Sequence, residues 1–116
     1  MLRTEHTRHI DRLLSRRNTV AETLQYIRRE HQAVQKTTEW LNTAAYDRRM
    51  DLFKRLDQWY SSELAAIDDA FTRMKQCTYG KCLACSRSIE PELLDTVPEA
   101  ALCGRCRNKS GITAKN

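Results

Sequence analysis

The sequence predicts a mainly α-helical chain: a long antiparallel helical hairpin of coiled-coil type, followed by a small four-cysteine zinc-finger module. Three observations predict it. All glycines and prolines (Gly80, Pro91, Pro98, Gly104 and Gly111) lie beyond residue 79. Before that point, two stretches carry seam residues in alternating steps of three and four. The five cysteines begin only at Cys77, and four of them stand as two CxxC pairs.

The first 79 residues contain no backbone breaker and are rich in Arg, Leu, Ala, Glu and Gln, a composition that favours helix. Ile10, Leu13, Arg17, Val20, Leu24, Ile27, His31, Val34, Thr38 and Leu41 form one heptad seam. Tyr46, Met50, Phe53, Asp57, Tyr60, Leu64, Ile67, Phe71 and Met74 form the second. Each seam would bury one narrow stripe against a partner helix. Folding back on itself lets the chain supply that partner, and the chain is expected to be monomeric.

Opposed positions in such a hairpin have residue numbers with a nearly constant sum. Pairing Leu41 with Tyr46, Val34 with Phe53 and His31 with Asp57 gives 87 or 88. The one acidic seam position then faces the one histidine. The pair could be a polar layer that fixes register, or two groups at the wet edge of the seam. The apex falls at Thr43–Ala44, with Asn42 available to cap the second helix. Arms of about 30–35 residues are about 45–50 Å long.

The domain expectation is therefore residues 1–76 as hairpin with a tip near 42–47, 77–108 as the cysteine module, and 109–116 as a disordered tail. Residues 1–9 overrun the hairpin onto the module. Cys82-Leu-Ala-Cys85, seventeen residues, then Cys103-Gly-Arg-Cys106 has the spacing of a structural zinc site. Two CxxC turns each offer two sulfurs, and the loop brings the second pair back to the first. Disulfides or a redox dithiol are the alternative. Four thiolates leave no open coordination position, so the metal would be structural and not catalytic. Cys77 is left over, either as an inert small thiol or as a redox thiol that exchanges with the ligands.

Charge and length narrow the remaining classes. Lys and Arg exceed Asp and Glu by 20 to 15, a net charge of +5, and four thiolates around one Zn²⁺ would bring that to about +3. The excess is uneven: residues 1–36 hold eight basic and four acidic side chains, whereas 37–76 hold six and seven. A basic stripe for nucleic acid should not fade halfway along the hairpin, so direct nucleic-acid binding is not expected. No stretch suits a membrane span or a secretory signal, which makes the cytoplasm the expected location. The arginine clusters at 16–17 and 28–29 read as solvated faces. Trp40 and Trp59 fall beside the seams, at the core edge or as partner-facing anchors.

The run Ile67-Asp68-Asp69-Ala70-Phe71-Thr72-Arg73-Met74, then Thr78-Tyr79-Gly80-Lys81-Cys82, Ile89, and Pro98 through Cys106, resembles the DksA/TraR family. That family reads I-D-x-A-L-x-R-I, then G-T-Y-G-x-C-x-x-C, an isoleucine, a proline and a closing C-x-x-C. Cys77 and Ser86 stand where it carries glycine, and Leu94 takes the place of an arginine-leucine pair. The resemblance implies a bacterial or phage regulator, not an enzyme, that binds RNA polymerase. Its hairpin would enter the secondary channel and alter promoter complexes.

The resemblance also assigns residues. The family's apex pattern D-x-x-D-R is met by Asp47 and Arg48, with Ala44 in place of the first aspartate, so Asn42, Thr43, Ala44, Asp47 and Arg48 become the candidate polymerase-binding tip. The second-helix positions that in the family contact the alarmone ppGpp are matched by Trp59 and Ala66, neither of them basic. Only Arg107 keeps the charge there, as a candidate ppGpp or rim contact. Little ppGpp dependence is therefore expected. The competing readings are a zinc-ribbon nucleic-acid binder or protein adaptor, and a transcript-cleavage factor. The last needs two tip carboxylates to hold Mg²⁺, and Trp40–Tyr46 contains none.

Overall fold

The computed structural model describes residues 6–36 and 43–110. Among the described residues four helices follow one another: α1 (Thr7–Lys36), α2 (Ala44–Lys75), α3 (Pro91–Thr96) and α4 (Gly104–Ser110). Among the described residues the only extended pairing is an isolated antiparallel bridge between Lys81 and Ser88. At 30 and 32 residues, α1 and α2 have the expected arm length. Helix α4 continues through Ser110, so Lys109 and Ser110, expected in the tail, are helical. The rest of that tail, and Asn42 and Trp40 near the apex, lie outside the described residues.

Contacts divide the chain into two units, one of Met1–Ser15 with Ala66–Asn116 and one of Arg16–Ala65. The division does not follow the compositional change near residue 77. The start of α1 and the end of α2 bury His9, Leu13, Ile67, Ala70 and Met74 in the unit that also buries Tyr79, Ile89, Leu94 and Ala100.

In the unit Arg16–Ala65, α1 and α2 run antiparallel. Arg16 pairs with Glu63 at 3.2 Å and Arg28 with Asp57 at 2.7 Å, so numbers rise along one helix as they fall along the other. Val20, Leu24, Ile27 and Phe53 are the buried apolar side chains. Removing each such group from water contributes on the order of 1.5–3 kcal/mol. Thr43, not Asn42, caps α2: its Oγ1 accepts the Tyr46 N–H at 3.1 Å, and its carbonyl accepts the Asp47 N–H. Asn42 stands one residue too early for a helix that opens at Ala44.

The polar pair of the seams differs from expectation. The His31 ring stacks on Phe53 at 5.2 Å between centroids, and the Asp57 carboxylate accepts from Arg28 and from the Ser61 hydroxyl. Arg28 gives its Nε and Nη2 to the two oxygens of Asp57, and that hydrogen bond holds the carboxyl below its ordinary range.

In the other unit, α2 ends in a Schellman closure. The Thr78 N–H donates to the Arg73 carbonyl at 2.9 Å and the Cys77 N–H to the Met74 carbonyl at 3.2 Å. This geometry puts Cys77 at φ 61°, in the left-handed region. Tyr79 follows, buried, its hydroxyl donating to the Pro98 carbonyl at 2.7 Å, and burial pushes the phenol up to about 12. The rings of His6 and His9 lie against Tyr79 at 4.9 and 5.9 Å. Buried Arg73 donates from one nitrogen to the carbonyls of Glu99 and Ala100, both at 3.3 Å. The overrun of α1 thus seats on the module, as its sequence position implies.

Two predictions follow from this packing. Among the described residues, two non-glycine residues have positive φ, Cys77 at 61° and Ser86 at 64°. A Cβ in the left-handed region costs about 1–2 kcal/mol, less the added backbone entropy of glycine. Cys77→Gly and Ser86→Gly should therefore each raise unfolding free energy by about 0.5–1 kcal/mol in urea titrations; a loss at either position contradicts this account.

The second concerns pH. Burial first, and then neighbouring Arg8, hold the buried His9 imidazole below its ordinary 6.5, partly opposed by Asp95. The unfolded chain takes up this proton first. Stability from neutral His9 is therefore complete above about pH 6.5 and declines as pH falls below it. Urea midpoints taken at about pH 7.5 and about pH 5.5 should drop more in the wild-type chain than in His9→Gln.

Candidate metal centre

Cys82 leaves the short bridge: its N–H donates to the Arg87 carbonyl at 2.7 Å, while the Ile89 N–H donates to the Gly80 carbonyl at 2.8 Å. Gly80 has φ 86°, which suits a residue without Cβ at this turn. The first knuckle closes when the Ser86 N–H returns to the Cys82 carbonyl at 2.9 Å, with Ser86 left-handed. A further bond from the Leu83 N–H to the Ala101 carbonyl at 2.9 Å ties this knuckle to the segment before Cys103.

The second pair is set by α4. Cys103 immediately precedes the helix and Cys106 lies in its first turn, so two sulfurs three residues apart share one face. The Glu90 carboxylate accepts the Gly104 N–H at 3.0 Å, and that bond holds its pKa below the ordinary carboxylate value. A Cβ at Gly104 would stand 2.9 Å from a Glu90 oxygen, the mobile end of that side chain.

The sulfurs of Cys82, Cys85, Cys103 and Cys106 all lie within 4.8 Å of one another, and those of Cys85 and Cys103 are 3.8 Å apart. Four ligands at about 2.3 Å in a tetrahedron have edges of about 3.8 Å, so the cluster has the dimensions of a zinc–thiolate site. Burial alone would push the Cys82 thiol up. The backbone N–H groups of Cys103, Cys85 and Ala84 outweigh it and bring the group to about 6. Hydrogen bonds with the other three sulfurs push Cys106 the other way. The four groups thus share protons unequally, and a divalent cation is the natural replacement for them. Arg87, Arg105 and Lys109 line the cleft beside the sulfurs and oppose the net negative charge of a four-thiolate site.

The remaining candidates are not among these four sulfurs. Cys77 is exposed and stands outside the four-sulfur group. Thr43, Ala44, Asp47 and Arg48 are exposed at the start of α2, in the other unit, and Arg107 is half-buried in α4. Sequence reasoning missed three supporting groups: Glu90 on the second knuckle, Arg73 on the Glu99 and Ala100 carbonyls, and His9 against Tyr79. A signal existed for Arg73, which is the arginine of the I-D-x-A motif. Glu90 carried none, since its partner is fourteen residues away.

No protein-family model and no curated protein matches the chain by sequence. The fold does match a solved structure, described as that of transcription factor DksA2 from Pseudomonas aeruginosa. The TM-score is 0.79 over 93% of this chain and 84% of that one, at 20% sequence identity. The two chains thus share a fold.

Removing one sulfur should reduce the metal equivalent bound per chain. In Cys103→Ser, elemental analysis after gel filtration should show zinc below one ion per chain, together with a lower melting temperature. A variant that retains a full equivalent overturns the four-ligand assignment.

Proposed function

We propose that this chain is a non-enzymatic transcription regulator of the DksA/TraR type, which binds RNA polymerase and modulates promoter complexes through its hairpin. The observation that carries the reading is the match of the fold to DksA2 over 93% of the chain, beside this chain's own cluster of four cysteines. The ion held by the four thiolates is Zn²⁺, and its role is structural: with all positions filled by sulfur it offers no site for substrate or water.

The working end in this reading is the start of α2, entering the secondary channel of the polymerase. Thr43 fixes the chain entry by capping the helix, which leaves Ala44 as its first residue and Asp47 in its first turn. The carboxylate of Asp47 is favoured there by the helix dipole, and Arg48 beside it is exposed. Trp59 and Ala66 supply no positive charge for a nucleotide tetraphosphate, and Arg107 alone does not compensate. Regulation is therefore expected to proceed with little ppGpp dependence.

In transcription from a ribosomal promoter with purified polymerase, the chain should change promoter-complex lifetime. Added ppGpp should alter that effect by less than about fivefold, the lower end of ordinary allosteric coupling. Deleting residues 40–47 should abolish the effect while the protein still co-purifies with polymerase. Failure of the intact chain to bind polymerase, combined with salt-sensitive binding to free DNA or RNA, would instead favour a nucleic-acid-binding zinc ribbon.

A further inference from the structure

The second pair of sulfurs sits on a helix whose capping position is taken by a ligand. The Arg107 N–H donates to the Cys103 carbonyl at 2.9 Å, so Cys103 stands immediately before the first turn of α4. Serine, threonine, asparagine or aspartate is favoured at that place, because a side-chain oxygen there accepts one of the first free N–H groups. Cys103 offers a sulfur instead, and that sulfur belongs to the four-sulfur cluster. The first turn of α4 holds no acidic residue, and seven residues are too few for a helix to persist alone. The oxygen comes from Glu90, whose carboxylate accepts the Gly104 N–H at 3.0 Å.

Glu90 is itself placed for this reach. It precedes Pro91, which favours the extended backbone it adopts, φ −56° and ψ 132°. Its neighbour Ile89 is buried, with the N–H held by the Gly80 carbonyl at 2.8 Å, so Glu90 is rooted at the base of the first knuckle. It stands at the start of α3, yet its side chain makes no capping bond there. Arg87, Arg105 and Lys109 line the same cleft, but among the described residues none of them forms an ion pair with Glu90. The carboxylate is committed to Gly104.

We infer that Glu90 is a positioning residue for the metal: its carboxylate holds the start of α4, and with it Cys103 and Cys106, where the four-sulfur site closes. The inference rests on the zinc–thiolate reading given above. The bond spans fourteen residues and carries the position of the first knuckle to the second without passing through an ion. The Leu83 N–H, bonded to the Ala101 carbonyl at 2.9 Å, makes a second link of the same kind. With both links in place the two sulfur pairs already face each other, and less ordering is left for the ion to accomplish. The charge of the carboxylate acts in the opposite sense, since a negative group beside four thiolates repels them. Substitutions at residue 90 separate reach from charge.

The test uses the full chain, loaded with Zn²⁺ alone and titrated against a chelator of known affinity. Glu90→Ala should weaken Zn²⁺ binding by about 10–100-fold, the usual loss when a group that orients a metal ligand is removed. Glu90→Gln keeps an oxygen at the same reach and should restore most of the affinity. Glu90→Asp keeps the charge but is one methylene short, and should fall with Glu90→Ala. At saturation with Co²⁺ all four proteins should show the same four-thiolate absorption, because no ligand has changed. Should Glu90→Ala fail to fold, the comparison of Glu90→Gln with Glu90→Asp decides alone. Equal Zn²⁺ affinity in wild type, Glu90→Gln and Glu90→Asp overturns the inference and leaves the zinc site intact. So does tighter binding by Glu90→Gln, or affinity kept by Glu90→Asp and lost by Glu90→Gln, since either makes charge rather than reach the controlling effect. A wild-type chain that binds no zinc removes the zinc reading and this inference together.

Discussion

The convergence of four cysteine sulfurs within 4.8 Å is the constraint on which the smaller half of the architecture depends. Between Cys77 and Ser110 the chain offers two helices of six and seven residues and one isolated bridge, too little regular structure to hold itself. Four thiolates at this spacing repel one another, so the arrangement is stable as anions only around a cation. A metal there fixes both knuckles. The knuckles in turn place Tyr79, Pro98, Glu99 and Ala100, the groups onto which the ends of α1 and α2 pack.

That packing is polar as much as apolar. Arg73 is buried and holds two loop carbonyls, while Tyr79 holds a third from Pro98. These are carbonyls of segments that have no ladder or helix to satisfy them. The side chains therefore replace secondary structure as the partner of the backbone. His9 completes the seat as a neutral ring, which is why this contact responds to acid.

The two long helices obey a different rule. Their seams specify that they pair, and a 3.5-residue repeat pairs almost equally well one step along. Arg28 reaching Asp57, and His31 lying on Phe53, select one of these registers. Hydrophobic burial supplies most of the free energy and polar geometry chooses the alignment. The two left-handed residues illustrate a comparable division. Cys77 and Ser86 stand where glycine would be unstrained, and the chain adopts those turns because the helix closure and the knuckle require them.

Much of the molecule was legible in the amino-acid order, because its signals are local. Glycine-free composition marks the helices, heptad spacing marks their buried stripe, and CxxC pairs mark the sulfurs; each depends only on residues near in sequence. Which seam position meets which, the cap at Thr43 rather than Asn42, and the reach of Glu90 to Gly104 were decided by tertiary structure. Those depend on distances between segments remote in the chain, where several alignments bury nearly equal apolar area. Long-range polar contacts then choose among them.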